Sequence, residues 1–102
     1  MIFLTDTSVH IHRLKTWPES WQAIDAGHKT AEFRLDDRGF EVGHFLELRE
    51  WYPLVRDGER VHGGRFTGRW MVVRVTHIER GFGIPKGYAM LSFEMPQSEE
   101  RP

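Results

Sequence analysis

Lys29, Glu32 and Arg34 are spaced so that chemistry could gather around them. Thr30 to Leu35 alternates polar and apolar residues, which reads as a strand with Ala31, Phe33 and Leu35 on one face and Thr30, Glu32 and Arg34 on the other. Glu32 and Arg34 then share a face with Cα atoms about 6.5–7 Å apart, and Lys29 stands at the mouth of the strand. A carboxylate among fixed cations can accept from a nucleobase amino group while an arginine holds a phosphate or a carbonyl oxygen. The same residue types also make ordinary surface ion pairs, which contribute little. Lys29 and Glu32 are also the candidates for proton-transfer catalysis. There a lysine base must shed its charge, and a neighbouring carboxylate works against that.

Other groups extend this set. Lys15 precedes the expected helix. Asp37-Arg38 falls in a turn by composition, where Asp caps turns and Arg pairs with acids, or where both could touch a ligand. His10 and His12 form an H-x-H that could chelate a transition metal, but nothing fixes a third ligand, and neither a metal nor another cofactor is expected. His12 suits a hydrogen-bonding or proton-shuttling role. Of the four tryptophans, Trp21 and Trp70 lie in apolar patterns that read as core. Trp17, beside Lys15, is the base-stacking candidate, and Trp51 is a candidate rim aromatic. The glycine-rich Gly81–Gly87 loop lacks the pattern of a phosphate cradle opening a helix.

The bulk properties restrict the function classes. A chain of 102 residues fits one domain with one modest core. Its 39% hydrophobic content is too high for a disordered chain. The apolar start Met1-Ile2-Phe3-Leu4 makes a poor signal peptide, and no apolar run approaches the roughly 20 residues of a membrane helix. With no cysteine, disulfides, thiolate catalysis and cysteine zinc sites are excluded, which fits a cytoplasmic location. A net charge of −1 argues against a broad basic field, so any nucleic acid must be met locally, where a few Lys and Arg converge.

Periodicity supplies the elements that position these residues. Residues 1–8 read as a leader, 9–95 as the domain and 96–102 as a flexible tail. Residues 9–12 alternate as a short strand. Thr16-Trp17-Pro18-Glu19 has the form of a capping box opening a helix over about 17–26, with Trp17, Trp21 and Ile24 on one stripe and Gly27 as the stop. Phe45 to Trp51 reads as a strand with Leu46 and Leu48 on one face and Glu47 and Arg49 on the other. Residues 53–65 read as an exposed loop, Trp70 to His77 as a central strand and Tyr88 to Glu94 as the last strand. The fold class is α+β: about five strands in a closed or nearly closed sheet, capped by one early helix.

The ordered set Gly27-x-Lys29-x-x-Glu32-x-Arg34, followed by Val42-Gly43 and the strand Leu46-Glu47-Leu48-Arg49-Glu50, resembles the ASCH signature of the PUA-like superfamily. His12-Arg13-Leu14-Lys15 and Asp37-Arg38 are similar to the H-x-L-K and D-R motifs of a bacterial and phage ASCH-like branch whose function is not settled. The likeness runs from about His12 to Phe93. It implies a PUA-like β-barrel with a cleft beside the helix that binds RNA or a nucleotide. The expected ligand-binding residues are His12, Lys15, Trp17, Lys29, Glu32, Arg34, Asp37 and Arg38. Some ASCH members resemble amidohydrolases of acetylated cytidine, in which the signature lysine works with a threonine three residues on and a distant glutamate. Lys29 matches that lysine, Glu32 occupies the threonine position, and His44 stands where the family usually has Asp. A hydrolase of modified nucleosides, or a small ribonuclease using Lys29, Glu32 and His12, is therefore the alternative to a binding module. The oligomeric state is left open.

Overall fold

A computed structural model describes residues 10–96. The elements run β1 Ile11–Thr16, α1 Pro18–Asp25, β2 Ala31–Leu35, β3 Phe45–Arg56, β4 Glu59–Glu79 and β5 Tyr88–Glu94. The five strands form one mixed sheet in the order β1-β3-β4-β5-β2, with β1 parallel to β3 and every other neighbour antiparallel. The expected leader and residues 97–102 of the expected tail lie outside the described residues, as does the Val9 end of the expected 9–12 strand.

Period-two alternation builds the core. Leu14 of β1, Leu46 and Leu48 of β3, Met71, Val73 and Val75 of β4, and Ala89, Leu91 and Phe93 of β5 point to one side of the sheet and are buried. Helix α1 covers that face with Trp21 and Ile24, three residues apart. The buried indole N–H of Trp21 donates to the Leu48 carbonyl at 2.9 Å, which fixes the helix against β3.

Three expectations fail for identifiable reasons. The N-cap of α1 is Trp17, without a side-chain cap. Thr16 belongs to β1, is buried, and receives a hydrogen bond from Arg34, so no capping box forms. Residues 53–65 are not a loop. β3 and β4 run on as a two-stranded arm closed by Asp57-Gly58, both at positive φ (54° and 78°), between the partners Arg56 and Glu59. That geometry is a two-residue hairpin turn. Strand β4 is exposed throughout Glu59–Trp70, so no apolar alternation marks it in sequence. Trp70 is 61% exposed, because Met71, Val73 and Val75 take the core side of β4 and Trp70 takes the other.

The backbone ladder does not close: β1 and β2 each have one neighbour. Guanidinium groups cross the gap. Arg34 Nη2 on β2 donates to the Lys15 carbonyl at 2.7 Å and to Thr16 Oγ1 at 3.1 Å on β1. Beyond β2, Arg38 Nη1 donates to the Arg13 carbonyl at 3.0 Å. These bonds satisfy strand carbonyls that a neighbouring strand would otherwise take. Arg34→Met keeps the apolar stem but removes the donors and leaves the buried Glu32 with one cation fewer. It should destabilise the domain by about 2–4 kcal/mol in urea unfolding. A loss below about 0.5 kcal/mol would mean that apolar packing alone holds the two edges together.

Candidate functional site

The end of α1 sets the position of Lys29. Gly27, at φ 81°, takes the left-handed conformation; its N–H donates to the Ile24 carbonyl at 3.0 Å, and the His28 N–H donates to the Ala23 carbonyl at 2.9 Å. This pair of bonds is a Schellman motif, which turns the chain sharply off the helix. The Lys29 N–H also donates to Ala23, at 3.1 Å, and β2 begins two residues later. The side chain of Lys29 therefore returns over the helix start, where Nζ meets Ser20 Oγ at 2.7 Å.

Glu32 is 7% exposed and is held between two cations. Lys29 Nζ lies 2.8 Å from Oε1 and Arg34 Nη2 lies 3.2 Å from Oε2. An ionised carboxylate offers about four lone-pair sites, so roughly two remain for a ligand. One ammonium N–H of Lys29 has no partner among the described residues. Arg34 Nε is buried, also without a partner among them. Burial pushes the Arg34 guanidinium below its ordinary value, and Glu32 opposes that shift. Around this carboxylate opens a cleft of about 420 Å³ lined by Lys15, Trp17, Ser20, Lys29, Glu32 and Arg34, with Phe33 and Leu35 at its side.

Five of the eight expected ligand-binding residues thus face one cleft: Lys15, Trp17, Lys29, Glu32 and Arg34. Asp37 and Arg38 line a smaller recess of about 130 Å³ that shares Arg34 and Leu35 with it. His12 does not line the cleft. Its ring packs edge-on to Phe40 and its Nε2 lies 2.9 Å from His44 Nδ1, with His10 stacked on His44. Burial, then the neighbouring His44, Arg38 and His10, hold His12 below its usual value and keep it neutral near pH 7. No group of three or more His, Asp or Glu among the described residues is arranged to hold a metal ion. Trp17 is half exposed, and the Arg60 guanidinium reaches back from the arm to sit 3.5 Å from its ring centroid. Lys15 Nζ lies 4.7 Å from the ring centroid of Trp51. Ser20 was not expected; its only signal was its place in the first turn of a helix that ends next to Lys29.

Residues 11–93 match the family described as a domain of unknown function, DUF3850. The chain belongs to the DUF3850 family. The matched span runs from β1 into β5 and includes every residue lining the cleft. A protein of Escherichia phage P2, described as an uncharacterized 12.9 kDa protein in the GpA 3' region, is 35% identical over 68 residues. The alignment covers 67% of this chain and 53% of the phage protein, so the chain spans about half the length of that relative. No helix among the described residues of this DUF3850 domain is long and apolar enough to cross a membrane.

A second buried acid lies outside the cleft, where α1 meets β3 and β4. Glu50, 1% exposed, accepts from Arg69 Nε at 2.8 Å and Nη2 at 3.0 Å, from Thr67 Oγ1 at 2.8 Å and from Gln22 Nε2 at 3.1 Å. It ties α1 and β3 to a bulge of β4, where Arg49 pairs with Trp70 but Trp51 pairs with Phe66. Arg69, with Thr67 and Gln22, lowers the Glu50 carboxyl from its ordinary 4.5 to about 2. Because the folded value is depressed, the stability it contributes is complete above about pH 4.5 and is lost as pH falls towards 2. Glu50→Gln should therefore be less stable than wild type by about 1–3 kcal/mol near pH 7. The gap should narrow between about pH 4.5 and 2 in denaturant titrations across pH. A pH-independent gap would contradict the role of the charge.

Proposed function

We propose that this DUF3850 domain is a binding module that takes a nucleotide, or the end of a short single-stranded RNA, in the cleft around Glu32. The observation that carries this reading is a nearly buried carboxylate with free lone pairs, set among Lys15, Lys29 and Arg34 beside an exposed indole. Such a site offers an acceptor to a base amino group, donors to phosphate oxygens and a ring for stacking. The resemblance to ASCH domains points the same way. The guanidinium bridges between β1 and β2 support reading the open sheet as a PUA-like barrel closed by side chains rather than by a backbone ladder. A cysteine-free chain suits cytoplasmic RNA or nucleotide as the partner.

One contact favours the hydrolase alternative: Lys29 Nζ and Ser20 Oγ, 2.7 Å apart, have the form of a lysine-activated serine. Glu32 also holds the same Nζ, at 2.8 Å, in an ion pair, so the lysine is not aimed at the serine alone and binding ranks first. The ribonuclease variant needs His12, which packs against Phe40 and His44 instead.

A matched set of affinities and turnover rates separates the readings. Wild type should bind a nucleoside monophosphate or short RNA at low salt without converting it. Lys29→Ala should weaken binding by about 1–2 kcal/mol, and Glu32→Gln should change which base is preferred, because an amide can donate as well as accept. Turnover abolished in Ser20→Ala and Lys29→Ala with affinity retained would replace the binding module with the hydrolase. Silence towards all nucleotides and RNA would end both.

A further inference from the structure

The outer face of the sheet carries an alignment that begins at the cleft and runs beyond it. Register places Lys15 of β1 beside Arg49 of β3, and Arg49 beside Trp70 of β4, so the three side chains form one row across three strands on the side opposite the core. Adjacent strands lie about 4.8 Å apart, so the row spans about 10 Å. Arg13, Lys15, Arg34, Arg38, Arg49 and Phe66 line a groove of about 340 Å³ beside it. Lys15 and Arg34 line both this groove and the cleft, so the two are continuous.

We propose that this face is a track for single-stranded nucleic acid: phosphates leaving the cleft follow Lys15, Arg49 and Arg13, and bases stack on Phe66 and Trp70. The inference rests on the nucleotide-binding reading of the cleft and extends it from one nucleotide to a chain. Charge complementarity identifies the occupant. Five cations converge on the groove, and the acids beside them are Glu32, 3.2 Å from Arg34, Glu47, 3.6 Å from Arg13 and 3.7 Å from Arg49, and Asp37, 3.8 Å from Arg38. The Glu47 and Asp37 pairs are long and partly open to solvent, so they cost little to exchange for phosphate, while Glu32 stays within the cleft. The aromatics suit the same ligand. The Arg49 guanidinium already sits 4.3 Å from the Phe66 ring centroid, and Trp70 stands 61% exposed on the central strand. Cations alternating with exposed rings on a sheet face bind a nucleic-acid strand with little sequence preference, because every base has a ring face to stack.

The test compares uridine monophosphate with the hexanucleotide of uridine at fixed low salt, by fluorescence or calorimetry. Wild type should bind the hexamer at least about tenfold more tightly than the monomer. The ratio of the two affinities should fall towards one in Trp70→Ala and Arg49→Ala and be largely kept in Trp70→Phe, which retains a stacking ring. Thermal melts of the exposed-site variants should match wild type. Monomer binding with no gain for the hexamer overturns the track and leaves the cleft standing. A gain that survives in both Trp70→Ala and Arg49→Ala places the strand elsewhere and also overturns it. A concentration-dependent dimer that Trp70→Ala dissolves, with no length gain, gives the face to a second copy of the chain. Failure of both ligands to bind removes the cleft reading and the track with it.

Discussion

Arg34 projects from β2 into the gap where the backbone ladder stops, and the site depends on what its guanidinium does there. One nitrogen, Nη2, meets a carbonyl and a hydroxyl of β1 and the carboxylate of Glu32. A strand in that gap would have satisfied the same carbonyl through its own N–H, but it would have filled the opening. A side chain bridges the edges and leaves room beside them, which is why the cleft lies at this seam. The arrangement also explains how Glu32 stays buried. An uncompensated carboxylate in such a place is costly, and two cations within hydrogen-bonding reach offset that cost. Those cations occupy one side of the carboxylate and leave acceptor capacity on the other.

Two buried acids divide the work. Glu32 is held by two cations and keeps lone pairs for a visitor, whereas Glu50 is enclosed by Arg69, Thr67 and Gln22 and is fully used by the fold. Glu50 holds Thr67 and Arg69 of the bulge at the base of the arm, and the arm places Arg60 over Trp17. The indole that borders the cleft is thereby oriented by an element whose tip lies far along the chain. Rigidity behind the site and unsaturated hydrogen-bonding capacity within it are what a recognition cleft requires.

The sequence made much of this legible through local pattern. Thr30 to Leu35 and the helix near 17–26 follow clear periodicities, Tyr88 to Glu94 reads as a strand, and β2, α1 and β5 form at those places. Gly27 marked the helix stop and, with it, the position of Lys29. The arm was not legible from pattern because neither of its faces is buried, so polarity there imitates a loop. Asp57-Gly58 was the available signal, a dipeptide suited to positive φ at both positions. Trp70 lies in a continuous apolar run, which hides the side of the strand that faces the core. Glu50 could have been found by continuing the inward alternation Leu46, Leu48, Glu50, but its partners Thr67 and Arg69 are set by a bulge that no local spacing announces. Thr16 fits the capping pattern and is diverted by Arg34, a partner 18 residues away. Long-range side-chain contacts of this kind are invisible to periodicity.

The most direct test of the cleft is a titration of the isotopically labelled protein with a nucleoside monophosphate, followed by NMR of side-chain and backbone N–H groups. The expected result is a saturable shift confined to the Arg34 Nε–H, the Trp17 indole N–H and the backbone amides around Lys15, Lys29 and Glu32. The Gly81–Gly87 loop and the exposed His77–Glu79 pair should not move. Saturable shifts centred on that loop, or on the His10, His12 and His44 rings, would contradict a nucleotide site at the Arg34 seam.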